Sequence, residues 1–414
     1  MDILAGIGAG VLAAGCGCWI YVLLTAAHNL RRMRRVETVP LPERAGWPRV
    51  SVVIPACNEG ESLGAALREH LRGTYPNLEI ILVNDRSTDN TGEIADALAR
   101  SDPRLRVVHV RELPEGWLGK VHALHRGVLE SAGEWLLFMD ADVHVAPGTL
   151  ERVVAWCETR GLDQVLLLPR LEAANLGMGM VNAFLVRSAA ALMPVWAVEH
   201  PRLKVAAGGG VFCLLRREAL DRTPGMARLR LEVIDDAALA YLLKAYGARG
   251  TVINGSGGVS LCWYRSLGAF TRGLEKNGFA AARYNLPALA AACLFLILLD
   301  WAPLLALAQP AVPWLRAAGA AALTVQVGVS VVVARWTRGR ILPALLSPLA
   351  VLVMSFALLR SAALTLRRGE IVWRGTEYPL SLLREFMRNG KNMPLPPEPD
   401  GAPADAAGPE GSPR

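Results

Sequence analysis

Ser51-Val52-Val53-Ile54-Pro55-Ala56-Cys57-Asn58-Glu59 runs from a short apolar segment through a proline to an amide and a carboxylate. An apolar run stopped by Pro55 suits a buried strand, because proline donates nothing to a sheet ladder. The rhythm continues downstream. Glu61 to Leu71 has helical spacing, Glu79-Ile80-Ile81-Leu82-Val83 reads as a second strand, and a Thr/Asp-rich turn leads to a helix near Gly92 to Arg100. Leu105 to Val110 makes a third strand, Val121 to Ser131 a helix and Trp135 to Met139 a fourth strand. Strands alternating with helices imply right-handed crossovers, so the fold class is α/β with a mostly parallel sheet. Ligands of such sheets bind beyond the carboxyl ends of the strands.

Three of those ends carry unusual residues: Pro55-Ala56-Cys57-Asn58-Glu59, Asn84-Asp85-Arg86-Ser87-Thr88-Asp89 and Asp140-Ala141-Asp142. Asn, Asp and Ser favour turns and helix caps in any protein, and each segment taken singly has that plain reading. All three on one rim of one sheet form a candidate site. If the chain stays extended through Asp140 and Asp142, both carboxylates project to one side. Bare charges about 5 Å apart repel by roughly 3 kcal/mol at an effective dielectric of 20. A divalent cation removes that repulsion, and hard oxygen ligands suit Mg²⁺ or Mn²⁺. Such a cation would neutralise charge building on a departing diphosphate.

Lys120, in a loop entering a helix, can meet a phosphate as a point charge or be a solvated surface lysine. Glu232-Val233-Ile234-Asp235-Asp236 precedes a helical run that Gly247 ends. Plainly read, these acids sit at the positive end of a helix, with Asp235 as its cap. The functional reading makes Asp236 a general base. Between the acidic sites, Gly208-Gly209-Gly210 lets the backbone come close to a ligand.

Further out, the 414 residues are 52% hydrophobic with a net charge of +7. The apolar excess gathers in Ile3–Leu24 and in stretches near 287–309, 314–334 and 341–366. Ile3–Leu24 has the length a bilayer core needs, without the basic start of a signal peptide. Arg31-Arg32-Met33-Arg34-Arg35 follows it, which predicts an outside N-terminus and a cytoplasmic domain after it. Basic residues beside apolar runs fit anionic lipid headgroups rather than a nucleic acid. The seven cysteines show neither CxxC spacing nor a metal-ligand pattern with His, as expected of reduced thiols.

One conflict remains at this level. Three further crossings would put the tail outside, although Arg367, Arg368, Arg374, Arg384 and Arg388 call for the inside. One stretch then fails to span: either the first, with Asp300 and Pro303, or the third, with Pro343 and Pro348. Two segments, Met178–Trp196 and Trp263–Tyr284, mix apolar faces with arginines and are candidates for the membrane interface.

In order, VVIPACNEGES (52–62), VNDRSTD (83–89), Gly119-Lys120, DAD (140–142), GGGVFCLLRREAL (208–220) and IDD (234–236) resemble the pattern of family 2 glycosyltransferases. The resemblance covers about residues 49 to 285. It implies the GT-A fold and inverting transfer from a nucleotide-diphosphate sugar, with a UDP-sugar as the family expectation. Carried over, Pro55, Asn58, Glu59 and Asp85 would contact the nucleoside, Asp140 and Asp142 would hold nucleotide and metal, and Asp236 would be the base.

The layout is similar to the lipid-glycosylating branch (ceramide glucosyltransferase, carotenoid and hopanoid-associated types), as is Ile371-Val372-Trp373-Arg374-Gly375. A lipid acceptor at the cytoplasmic membrane is therefore expected. So is an organisation of anchor 1–30, catalytic domain 49–260, interfacial helices 261–286, membrane region 287–366 with two or three spans, and disordered tail 394–414. The QxxRW motif of many membrane members is missing, which argues against a processive synthase, and IDD stands where ED is common. A sugar nucleotidyltransferase is disfavoured by the acidic, amide-rich loop after the first strand. A non-catalytic scaffold with a degenerate nucleotide site would bind nucleotide without turnover.

Overall fold

The computed structural model describes residues 3–44 and 46–390, so the tail expected to be disordered lies outside the described residues. Helix α1 (Ile3–Arg32) comes first, followed by strand β1 (Val50–Ala56), α2 (Leu63–Leu71), β2 (Leu78–Asp85), α3 (Thr91–Ala99) and β3 (Leu105–Val110). Next come α4 (Gly119–Leu129), β4 (Trp135–Phe138), α5 (Thr149–Arg160), β5 (Gln164–Leu168), α6 (Leu176–Leu192), β6 (Cys213–Arg216), α7 (Asp235–Ala245) and β7 (Gly250–Asn254). After these the chain is almost wholly helical: α8 (Leu267–Ala281), α9 (Leu286–Leu307), α10 (Pro313–Trp336), α11 (Ile341–Leu345), α12 (Ser347–Arg368), a hairpin over 370–379 and α13 (Leu380–Asn389).

Two compact units result. Among the described residues, one gathers Arg35–Pro169, Ala197–Val259 and those from Glu385; the other gathers those up to Arg34, Arg170–Trp196 and Ser260–Arg384. The first is built on a seven-stranded sheet of order β3-β2-β1-β4-β6-β5-β7. β1 pairs in parallel with β2 and β4, as do β2 with β3 and β5 with β7; β6 alone runs antiparallel to its neighbours β4 and β5. This is the mostly parallel sheet expected of a GT-A fold. Its central strands are apolar on both faces because helices cover both. Val52, Ile54, Ile80, Leu82 and Leu137 pack on one face, and Ile81 and Val83 with Ala123 of α4 on the other. The register pairs Ala56 with Asn84 and Val53 with Phe138, which brings the three marked strand ends to one rim.

The second unit is apolar. Four helices in it are long and apolar enough to cross a membrane: Gly6–Arg32 within α1, then α9, α10 and α12. The stretch expected as one run over 341–366 is broken, because Pro348 begins a new helix and Ile341–Leu345 forms a separate short one. Asp300, costly in an apolar run, has acquired a partner. Arg187 of α6 grips its carboxylate bidentately at 2.6 and 2.7 Å, Gln326 of α10 donates to it at 2.9 Å, and Arg187 also reaches Ser347 Oγ at 3.0 Å. Both Arg187 and Asp300 are buried. None of the seven cysteines forms a disulfide.

Burial also leaves a pH signature in the sheet unit. His70 and His122 are each lowered to about 4, chiefly by burial, and His122 has no hydrogen-bond partner on either ring nitrogen among the described residues. An unfolded histidine titrates near 6.5, so the unfolded chain takes up protons first as pH falls. Stability is therefore full above about pH 6.5 and is lost between there and about pH 4, by up to about 1.4 kcal/mol per pH unit for each group. Thermal melts at pH 7 and pH 5 should show this fall, and His122→Leu should reduce it.

Candidate active site

Six of the eight residues singled out in the sequence sit on loops or helix starts at one rim of the sheet, and the other two, Pro55 near the end of β1 and Asp85 at the end of β2, lie on strand ends there. Pro55, Lys120, Asp140, Gly209, Gly210, Asp235 and Asp236 line one cleft, floored by Leu124, Phe138 and Leu239. Lys120 enters it from the first turn of α4, and its ammonium lies 2.7 Å from Asp140 Oδ1. Burial alone would lower that ammonium. The charges of Asp140, Asp235 and Asp236 outweigh burial and hold it above the ordinary lysine range. The surface-lysine reading of Lys120 is thereby set aside.

Asp142 departs from the alternation expected of an extended chain. β4 ends at Phe138 and the backbone turns at Ala141–Asp142, with Val143 N–H donating back to the Asp140 carbonyl at 3.4 Å. Asp142 does not line the cleft that Asp140 lines. It still feels its neighbours: burial first, then Asp140 and Glu59, pushes its carboxyl up to about 6. It is a hard oxygen donor. Among the described residues no group of three or more His, Cys, Asp or Glu is placed to hold a metal ion. Asp140 and Asp142 are hard oxygen donors of the kind Mg²⁺ or Mn²⁺ takes, and a cation on them would need further oxygens from a ligand.

Asp235 is not the helix cap the sequence suggested. α7 starts at Asp235 after Ile234, and both acids occupy its first turn, where the helix dipole favours negative charge. Asp235 is buried and faces Lys120's cleft, a role that its adjacency to Asp236 concealed. Asp236 is half-buried, and its Oδ1 accepts the Ala237 N–H at 2.7 Å.

The three glycines give close approach, but to the site's own chain. A Cβ on Gly208 would lie 1.9 Å from the Asp236 carbonyl oxygen, and one on Gly210 2.9 Å from Lys120 Nζ. The glycine loop therefore sets how far Asp236 and Asp140 stand from each other.

In the loop after β1, Asn58 takes a left-handed backbone (φ 56°). Its side-chain oxygen accepts Thr88 N–H at 2.8 Å, and its own N–H donates to Ser87 Oγ at 3.0 Å. Asn58 thus ties the first strand's loop to the second's, which its residue type alone does not reveal. Glu59 N–H donates to Thr91 Oγ1 at 2.8 Å, part of the same lacing. Asp85 is buried and paired with Arg86 at 2.8 Å, a partner the sequence reading missed although it is the next residue. Gly119 lies against that pair, since a Cβ there would meet Asp85 Oδ2 at 2.5 Å.

Comparison with known proteins bears on this rim. Residues 51–174 match the family model described as glycosyl transferase family 2. The glycosyltransferase GlyG of Streptococcus pneumoniae is 37% identical over 28% of this chain and 38% of its own length. The beta-monoglucosyldiacylglycerol synthase of Synechocystis is 31% identical over 38% of this chain and 36% of its own. The 4,4'-diaponeurosporenoate glycosyltransferase of Staphylococcus aureus is 24% identical over 61% of this chain and 64% of its own. The chain spans about a third of the length of the first of these curated relatives. The matched segment begins with β1 and runs through the loops of Asn58, Asp85, Lys120 and Asp140. This chain carries a glycosyl transferase family 2 domain.

Proposed function

We propose that the chain transfers a sugar, with inversion, from a nucleotide-diphosphate sugar to a hydroxyl of a lipid or membrane-associated acceptor. The observation that carries this reading is the convergence of Lys120, Asp140 and Asp236 on one cleft at the carboxyl ends of parallel strands. Two relatives whose names specify a diacylglycerol glycolipid and a carotenoid-type acid support a lipid acceptor, as do the four apolar helices.

In this reading Asp236 accepts the proton of the acceptor hydroxyl. The oxygen then bonds to the sugar's anomeric carbon as the bond from that carbon to the diphosphate breaks, from opposite faces, which inverts the centre. Lys120 follows the charge to the departing diphosphate, exchanging Asp140 for a phosphate oxygen. Asp140 and Asp142 would hold Mg²⁺ or Mn²⁺, which when bound supplies Lewis-acid neutralisation of the diphosphate. Pro55, Asn58, Glu59 and Asp85 would form the nucleoside end, with UDP-sugars the donors to try first. The positive-inside rule favours the cytoplasmic membrane face.

The test uses membranes holding the full chain, a set of nucleotide sugars, and Mg²⁺ or Mn²⁺. The expected result is a labelled glycolipid that EDTA abolishes. Nucleotide binding with no transfer to any extracted lipid would overturn the reading in favour of a non-catalytic scaffold.

A further inference from the structure

We infer that the chain crosses the membrane three times and that α11–α12 is a re-entrant hairpin, entering and leaving on one side with its apolar surface against the acyl chains of one leaflet. The inference rests on reading α1, α9 and α10 as spans. Its basis is the register of the helices inside the apolar unit. α9 and α10 are antiparallel along their length. Gln326 Nε2 donates to the Asp300 carbonyl at 3.1 Å, and further along a Cβ on Gly319 would lie 2.7 Å from the Pro303 carbonyl and 3.0 Å from Ala306. Carried on at the same rise, this register brings the C-terminus of α10 beside the first turns of α9.

α12 is antiparallel to α9 as well, but it starts partway along. Arg187 joins Ser347 to Asp300, and Trp301 Nε1 donates to the Pro348 carbonyl at 3.0 Å. At the far end Ser361 Oγ donates to the Glu275 carbonyl at 2.7 Å and accepts Phe279 N–H at 2.9 Å, on the last turns of α8, which a short turn at 282–285 joins to α9. Pro348 to Ser361 is a rise of about 20 Å at 1.5 Å per residue. That stretch is less than the ~30 Å hydrocarbon core, and from Arg360, which pairs with Glu275, the rest of α12 carries Arg367 and Arg368. The apolar part of α12 therefore returns toward the side on which α10 ends.

A helix that starts within apolar surroundings must satisfy its first N–H groups. Here Pro348 has none, Leu349 N–H reaches the Leu346 carbonyl at 3.0 Å, and Ser347 Oγ donates to the Ala344 carbonyl at 2.7 Å. The short α11 supplies the inward limb. Outward, Leu342, Leu345, Leu349, Leu352 and Phe356 form an exposed apolar surface, which acyl chains would cover.

The charges then agree. Arg335, Arg338 and Arg340 around the end of α10 share a side with Arg367 and Arg368 in the last turn of α12. Among the described residues no helix of spanning length separates Arg31-Arg32 from Leu286, so the basic end of α1 shares that side too. Three crossings from an outside N-terminus place all of them in the cytoplasm, as the positive-inside rule requires.

The experiment inserts a short epitope, one site at a time in the full chain, at 310–311, 338–339 and 374–375, and probes spheroplasts and inverted vesicles of an expressing bacterium. Antibody should reach 338–339 and 374–375 only in inverted vesicles, and 310–311 only in spheroplasts. A 374–375 epitope exposed on spheroplasts overturns the hairpin while leaving the other spans intact. A 310–311 epitope exposed only in inverted vesicles overturns the spanning reading and the hairpin with it. If an insertion prevents folding, trypsin cleavage at Arg374 in the unmodified chain reports the same side.

Discussion

Asp236→Asn should lower kcat for sugar transfer by about 10²- to 10⁴-fold, the usual contribution of a positioned general base, while donor affinity stays near wild type. Asparagine keeps the shape and can still accept the Ala237 N–H that Asp236 Oδ1 accepts at 2.7 Å, so the helix start should hold. What disappears is the carboxylate's ability to take a proton. Steady-state transfer assays with the donor varied, together with direct nucleotide binding, separate these effects. Retained turnover would remove Asp236 from the role of base, and a matching loss of donor binding would place it on the nucleotide instead. Lys120→Met should behave differently: it removes the cation that Asp140, Asp235 and Asp236 surround, so donor binding and turnover should fall together.

Asp300→Leu should destabilise the apolar unit by about 3–5 kcal/mol, because removing one member of a buried ion pair leaves the other charge uncompensated. The orphan would be Arg187, which is 4% exposed and stacks beside Trp19 at 5.5 Å. Gln326 and Ser347 belong to the same network, so the loss spreads over four segments of chain. The double variant Arg187→Met, Asp300→Leu should recover most of the stability, since replacing a whole buried pair by apolar side chains is often close to neutral. Unfolding in detergent of the wild type, both single variants and the double variant gives the coupling directly. Additive losses would mean that the contact contributes little.

These two sites show how differently the sequence speaks of each unit. Strands β1 to β4 and the helices between them were legible because a buried parallel strand is a short apolar run and its crossover helix is a 3.6-periodic one, both local patterns. Leu105–Val110 is a strand with the limits its residues suggest, and the sheet's rim follows from it and its neighbours. The candidate residues were legible for a related reason: carboxylates and amides directly after apolar strands have few purely structural explanations when three such ends share a rim.

The sequence by itself therefore determined the α/β class, the rim that gathers the candidate residues and the apolar character of the segments outside the sheet unit. Only the tertiary structure decided the rest. It inserted β6 antiparallel between β4 and β5, seated Lys120 on Asp140, put a turn at Ala141–Asp142 and drew Asp235 in beside Asp236. It also gave Asp300 its partner from α6, 113 residues away in sequence. The reason is physical: hydrophobic periodicity is a property of neighbours along the chain, whereas a buried charge is stable only through a partner that folding brings from elsewhere.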